Sequence, residues 1–215
     1  MGARDTSKDD GMPAEEITIR RPTRRTKMKR QTLVEYKDAS PEIQAIYDEV
    51  MEVTGSPDVF NFLKAFGNNE KVLRAFWSML RYTLLEGDVP ALLKQLILFR
   101  ISVEYGNTYC ASLHGRTVLR MDPTITYDEL IAMSGVGNMD IPASYRVAIE
   151  IVTHMALRPK TVEAEDFDFE EQLRDEGFSE QEIDELISLA GFGVLLNTMT
   201  DIVHIPTEEP LRPAT

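Results

Sequence analysis

The chain has 215 residues, 43% of them hydrophobic and 27% charged, with a formal net charge of -13 and a pI near 4.7. That length builds one substantial core and does not require two, and the negative charge repels phosphate backbones and anionic lipid headgroups, which argues against nucleic acid or a membrane as partner of the folded body. The lone cysteine, Cys110, admits no intrachain disulfide. No apolar run approaches the ~18 residues of a spanning helix, and the Arg-rich start lacks the apolar stretch of an export signal, so the cytoplasm is the expected compartment.

In chain order, residues 1–30 show no periodicity and end in the basic run from Arg20 to Arg30, with nine basic against five acidic residues. Residues 1–35 therefore read as a disordered basic tail, expected to fold back onto a body whose own charge is -17. Residues 36–206 read as one domain and 207–215 as a C-terminal tail. Ser40-Pro41 opens a helix with Ile43, Ile46, Tyr47 and Val50 on one face, closed by Gly55. Residues 57–66 form a short apolar turn. A helix from Asn69 to Glu86 follows, with Val72, Leu73, Phe76, Met79, Leu80 and Leu84 inward and Gly87 as its stop.

Asp88 and Pro90 open a helix over Ala91–Tyr105, and after Gly106 a further helix starts at Asn107 and carries Cys110 and His114. Thr126 with Glu129 makes a capping box for a short helix ending near Gly135, Pro142 begins a helix over Ala143–Leu157, and Ser179 with Glu182 caps a long last helix running toward Ile202. The acid-rich residues 162–176 read as a solvated helix and linker. No segment alternates with period two, so the class is all-α.

Cys110 and His114 are four residues apart, which stacks them on one helix face with Cβ atoms roughly 6 Å apart. A thiol and an imidazole so placed can share a proton, and an imidazolium or a nearby helix N-terminus lowers a thiol pKa. One Cys and one His supply at most two ligands, too few for structural zinc, so neither a metal nor another cofactor is expected. His154, inside an apolar helix, and His204, at the end of the last one, read as structural.

The stretch from Leu92 to His114 resembles the signature of the carboxymuconolactone decarboxylase and alkylhydroperoxidase D-like (AhpD-like) family. There, a glutamate on one helix precedes a Cys-x-x-Cys-x-x-x-His segment opening the next. The likeness extends over roughly residues 36–206 and implies an AhpD-like helical bundle forming symmetric homo-oligomers, trimers or hexamers. It places the peroxide-reacting cysteine on Cys110 and the histidine on His114, whereas the resolving cysteine falls on Asn107 and the glutamate on Gln95. A two-cysteine cycle therefore cannot run within this chain.

The resemblance implies a peroxidase-like, antioxidant activity on a small-molecule substrate, in which peroxide converts Cys110 to a sulfenic acid and an external thiol reduces it, with His114 moving the proton. Gln95 can orient a substrate but cannot act as a base. Tyr109 can donate a hydrogen bond, and Ser102, seven residues after Gln95 and on its helix face, is a better pocket candidate than Glu104 on the opposite face. One alternative is a carboxy-lyase using Arg100 or Arg116 to hold a substrate carboxylate. Another is a non-catalytic member of the same fold.

Overall fold

In the computed structural model, residues 32–132, 139–159 and 168–208 are described, and they are helical with no strand among them. The basic run before residue 31, Gly135, and the acid-rich run before Asp168 lie outside the described residues.

Local signals set most helix ends. Helix α1 (Pro41–Thr54) starts with Ser40 accepting the Ile43 N–H and ends at Gly55, which takes the left-handed φ of 65°. Residues 57–66 contain a short helix, α2 (Asn61–Ala65). Asn69 caps α3 (Glu70–Leu80), and Gly106, again left-handed, ends α4 (Ala91–Tyr105) before Asn107 caps α5 (Thr108–Met121). Both expected capping boxes form, at the starts of α6 (Tyr127–Ile131) and α9 (Glu180–Val203); α7 (Ala143–Leu157) and α8 (Phe169–Asp175) lie between them.

Helix α4 is the centre of the bundle. Leu93, Leu96, Ile97, Leu98, Phe99 and Ile101 are buried around its circumference, and α5, α7 and α9 pack on it. Where α9 crosses α4 the backbone comes close: a Cβ added at Gly193 would lie 2.9 Å from Ile101 Cδ1 and 3.1 Å from Leu98 Cδ2. By length and composition α9 could span a membrane, contrary to the expectation that no such run exists. In the bundle its Ile183, Leu186, Leu189, Phe192 and Leu196 are core residues.

Four expectations change. The helix expected over residues 69–86 is α-helical only to Leu80 and continues as a π-helical turn, Arg81–Leu85, closed by the Glu86 N–H on the Arg81 carbonyl. Its buried line is Leu73, Trp77, Leu80 and Leu84, while Val72 and Met79 are 37% and 39% exposed. Those two sit about 100–120° around the helix from Leu73, so the apolar arc is wider than the face that finds a partner.

The folded body also begins before residue 36. The Val34 N–H bonds the Lys64 carbonyl, Tyr47 Oη donates to the Val34 carbonyl, and Glu35 pairs with the buried ammonium of Lys64 at 2.8 Å. Finally, α8 is not simply solvated, because Leu173 is fully buried against its neighbours.

Lys94 and Glu185 hold the entry to α4. The Lys94 ammonium, 2% exposed, lies 2.9 Å from the Glu185 carboxylate and donates to the Glu86 carbonyl at 2.6 Å, and the same carboxylate accepts the Asp88 and Val89 amides at 2.7 and 3.1 Å. Burial pushes the Glu185 pKa up, but hydrogen bonds from Lys94 and the two amides outweigh it and leave the net value lowered.

Glu185→Gln removes the counter-charge of a buried ammonium and is expected to cost about 3 kcal/mol in urea denaturation. Adding Lys94→Met should recover part of the loss. Because the folded carboxyl titrates below its unfolded value, its stabilisation is complete above about pH 5 and disappears as pH falls through the folded pKa. The gap between wild type and Glu185→Gln should accordingly close in acid.

Candidate active site

Gly106 turns the chain between α4 and α5. At φ 69° it lets the Asn107 N–H return to the Ser102 carbonyl at 2.9 Å, so the two helices fold back on one another with Gln95 facing the first turns of α5. Asn107 then caps α5: its Oδ1 accepts the Cys110 N–H at 2.8 Å. Its Nδ2 donates across to α9, to the Asn197 carbonyl at 3.0 Å and to Thr200 Oγ1 and Asp201 Oδ1, both at 2.8 Å. Asn107 is 2% exposed. With both ends of its amide committed, it positions the helix rather than meeting a substrate.

A cavity of about 310 Å³ lies beside α5. Cys110, His114 and Gln95 line it together with Tyr109 and Thr200, and its walls are mostly apolar: Phe60, Phe62, Leu80, Leu84, Leu113 and Leu196 among them. The π-helical turn supplies Leu84 and Leu85 to this wall. The cavity therefore brings together four of the six expected residues.

Of the other two, Asn107 is the clamp just described and Ser102 lies elsewhere. Ser102 donates to the Leu98 carbonyl at 2.6 Å and lines a separate shallow cleft with Asn107, Ala111 and Ser112. It does share a helix face with Gln95, but seven residues carry it about 10 Å along α4, where it neighbours Cys110 without lining the cavity. Nor do the cationic candidates reach the cavity: Arg100 pairs with Glu104 at 2.6 Å, and neither Arg100 nor Arg116 lines it.

His114 is held by Gln95, with Nδ1 and Oε1 2.8 Å apart. With Oε1 accepting, Nδ1 carries the proton and Nε2 keeps its lone pair. Burial lowers the imidazole pKa to about 4, because the neutral amide of Gln95 offers the imidazolium no counter-charge. The ring is thus an uncharged proton acceptor across the physiological range.

Cys110 departs further from expectation. Spacing suggested a thiolate stabilised by His114 and by the start of α5; instead the thiol pKa is pushed up to about 12. Burial is the main cause. Hydrogen bonding to Thr200 Oγ1, 3.5 Å from the sulfur, and to Ser102 lowers it, while the carboxylates of Asp201 and Glu208 raise it. Neither His114 nor a helix end overcomes a 2%-exposed position beside two negative charges.

Glu208 was not foreseen, since it falls in the segment read as a C-terminal tail. Its Oε1 accepts the Asn61 N–H at 2.7 Å and the Tyr109 hydroxyl at 2.9 Å, while the Asn61 side chain donates to the Pro206 carbonyl at 3.0 Å. Tyr109 in turn accepts the Phe62 N–H at 3.1 Å, and its own pKa is raised well above 10, by burial first and by Glu208 next. No local pattern around Glu208 announces this role. Thr117 and Arg120 were also missed, although they continue the stripe of Cys110 and His114 at steps of three and were legible in the spacing.

No protein-family profile matches the chain, and no curated protein matches it in sequence. Solved structures do. An uncharacterized peroxidase-related protein from Silicibacter sp. TM1040 superposes with a TM-score of 0.68 at 24% identity, over 88% of this chain and 100% of that one. The alkylhydroperoxidase AhpD core of an uncharacterized peroxidase-related protein from Ralstonia eutropha JMP134 gives 0.69 at 19%, over 84% and 93%. The debrominase Bmp8, solved in complex with 2,3,4-tribromopyrrole as a variant with one cysteine replaced by alanine, gives 0.67 at 18%, over 83% and 91%. At these identities the likeness is one of architecture, and by that architecture the chain has the AhpD-like helical fold.

Proposed function

We propose that this chain is a peroxidase-like thiol oxidoreductase that works with one cysteine. The observation that carries the reading is that Cys110 and His114 open on the same apolar cavity, with His114 oriented by Gln95 so that Nε2 is available as a base. Two neighbours of the same fold are described as peroxidase-related, and a third is a debrominase solved with a small ring compound bound. A carboxy-lyase would need a cation deep beside His114, and the arginines considered for it lie outside the cavity.

In the proposed cycle, the Cys110 sulfur attacks the distal oxygen of a hydroperoxide. The S–O bond forms as the O–O bond breaks, His114 takes the thiol proton and returns it to the departing alkoxide, and an alcohol leaves Cys110 as a sulfenic acid. Two equivalents of an external thiol then restore the thiol, releasing water and a disulfide of the reductant. Asn107 leaves no internal thiol to do this, and a cytoplasmic location would supply small thiols for the step. Association into a trimer or hexamer belongs to the same proposal, as it would cover exposed Val72, Met79 and Tyr82.

The test is trapping of Cys110 sulfenic acid with dimedone after a peroxide pulse, quantified by mass spectrometry. His114→Ala should slow its formation by about 100-fold, and complete absence of the adduct from wild-type protein between pH 6 and 10 would end the reading. Since the thiol is neutral, the rate should keep rising with pH and show no plateau near the free-cysteine value of ~8.5.

Gln95→Glu tests the electrostatics separately. A carboxylate 2.8 Å from Nδ1 would raise the imidazole pKa and strengthen the base. Sulfenic acid formation at pH 7 should quicken by about tenfold, with the gain absent in the double variant Gln95→Glu/His114→Ala.

A further inference from the structure

Helix α5 presents the cavity with one continuous face on which Cys110, His114, Thr117 and Arg120 recur at steps of four and three. Exposure grades along it, from 2% at Cys110 and 3% at His114, through half-buried Thr117, to exposed Arg120. The ten residues between the two ends span about 15 Å of helix axis.

Arg120 is the charged residue of this lining; the others among the described residues are apolar or neutral. Its interaction among the described residues is a long hydrogen bond to Thr117 Oγ1, 3.5 Å, an oxygen that itself donates to the Leu113 carbonyl. Arg74, Arg81 and Arg174 each sit on a carboxylate, whereas Arg120 faces none within ion-pair distance among the described residues. A guanidinium that pairs with no carboxylate among the described residues, at the outer end of an apolar cavity, is arranged to receive an anion from solution.

We propose that the cavity binds an amphipathic carboxylate, with its head group on Arg120 and its apolar body running inward between Leu80, Leu84, Leu113 and Leu196 toward Cys110 and His114. An extended chain of ten carbon atoms, about 11 Å long, lies within the span of about 15 Å between Cys110 and Arg120. The proposal deepens the thiol reading by naming the ligand class of the same site, and it depends on that reading only for what happens at the inner end. The guanidinium fork suits two parallel bonds to a carboxylate, which orients the ligand, while the walls reward length rather than polarity.

The test uses the full chain and three probes, decanoate, octanoate and the neutral 1-decanol, with isothermal titration calorimetry for affinity and protection of Cys110 from N-ethylmaleimide for placement. Decanoate should bind about tenfold more tightly than octanoate, protect Cys110, and outcompete 1-decanol. Arg120→Gln, a change at an exposed position, should weaken decanoate by tenfold or more and leave 1-decanol unchanged, and Arg120→Lys should restore part of the loss.

Equal affinity for decanoate and 1-decanol, no effect of Arg120→Gln, or no binding of decanoate would each overturn the proposal. Peroxide oxidation of Cys110 is followed without any fatty acid present. If oxidation fails while Arg120-dependent binding of decanoate persists, the thiol reading falls and the ligand class stands; the reverse result removes the ligand class alone.

Discussion

The side-chain amide of Asn107 fastens the first turn of α5 to the last turns of α9, and the site depends on that fastening. One end caps the helix through the Cys110 N–H, and the other reaches Asn197, Thr200 and Asp201. A residue that merely capped α5 would leave its start free to tilt. A residue that merely bridged to α9 would leave the cap unmade. By doing both, Asn107 sets the depth of Cys110, and depth decides the chemistry of the thiol.

That depth keeps both Cys110 and His114 uncharged. Desolvation raises the thiol pKa and lowers that of the imidazole, so a proton stays on sulfur and Nε2 stays bare. The carboxylates of Asp201 and Glu208 reinforce this for the thiol, and the neutral amide of Gln95 allows it for the imidazole. A pair of this kind does not store a thiolate in advance. In the proposed cycle the proton moves only when a substrate fills the cavity, excludes water and offers an oxygen to receive it.

The scaffold shapes the space around the pair with devices remote from it. The Lys94–Glu185 ion pair fixes where α4 begins, and so where Gln95 stands; the close approach at Gly193 draws α9 onto α4; the π-helical turn after α3 turns Leu84 and Leu85 into the cavity wall. Across the top, Glu208 joins the N–H of Asn61 to the hydroxyl of Tyr109, which links α2, α5 and the chain after α9. The result is an apolar chamber whose one charge among the described residues, Arg120, is exposed.

The sequence by itself determined most helix starts and the placing of Cys110 and His114 on one helix face. Caps at Ser40, Asn69, Asn107, Thr126 and Ser179, and stops at Gly55, Gly87 and Gly106, act within a few residues of where they stand, so local reading finds them. The spacing of Cys110 and His114 is local in the same sense, and continuing it would have reached Arg120. Tertiary structure alone decided that α3 buries Trp77 and leaves Val72 and Met79 out, that Ser102 falls outside the cavity, and that a carboxylate from beyond α9 lies beside Tyr109. It also decided the state of the thiol. Helix-end and neighbour effects can be read from spacing, but the desolvation that outweighs them comes from the burial of Cys110 in the packed bundle.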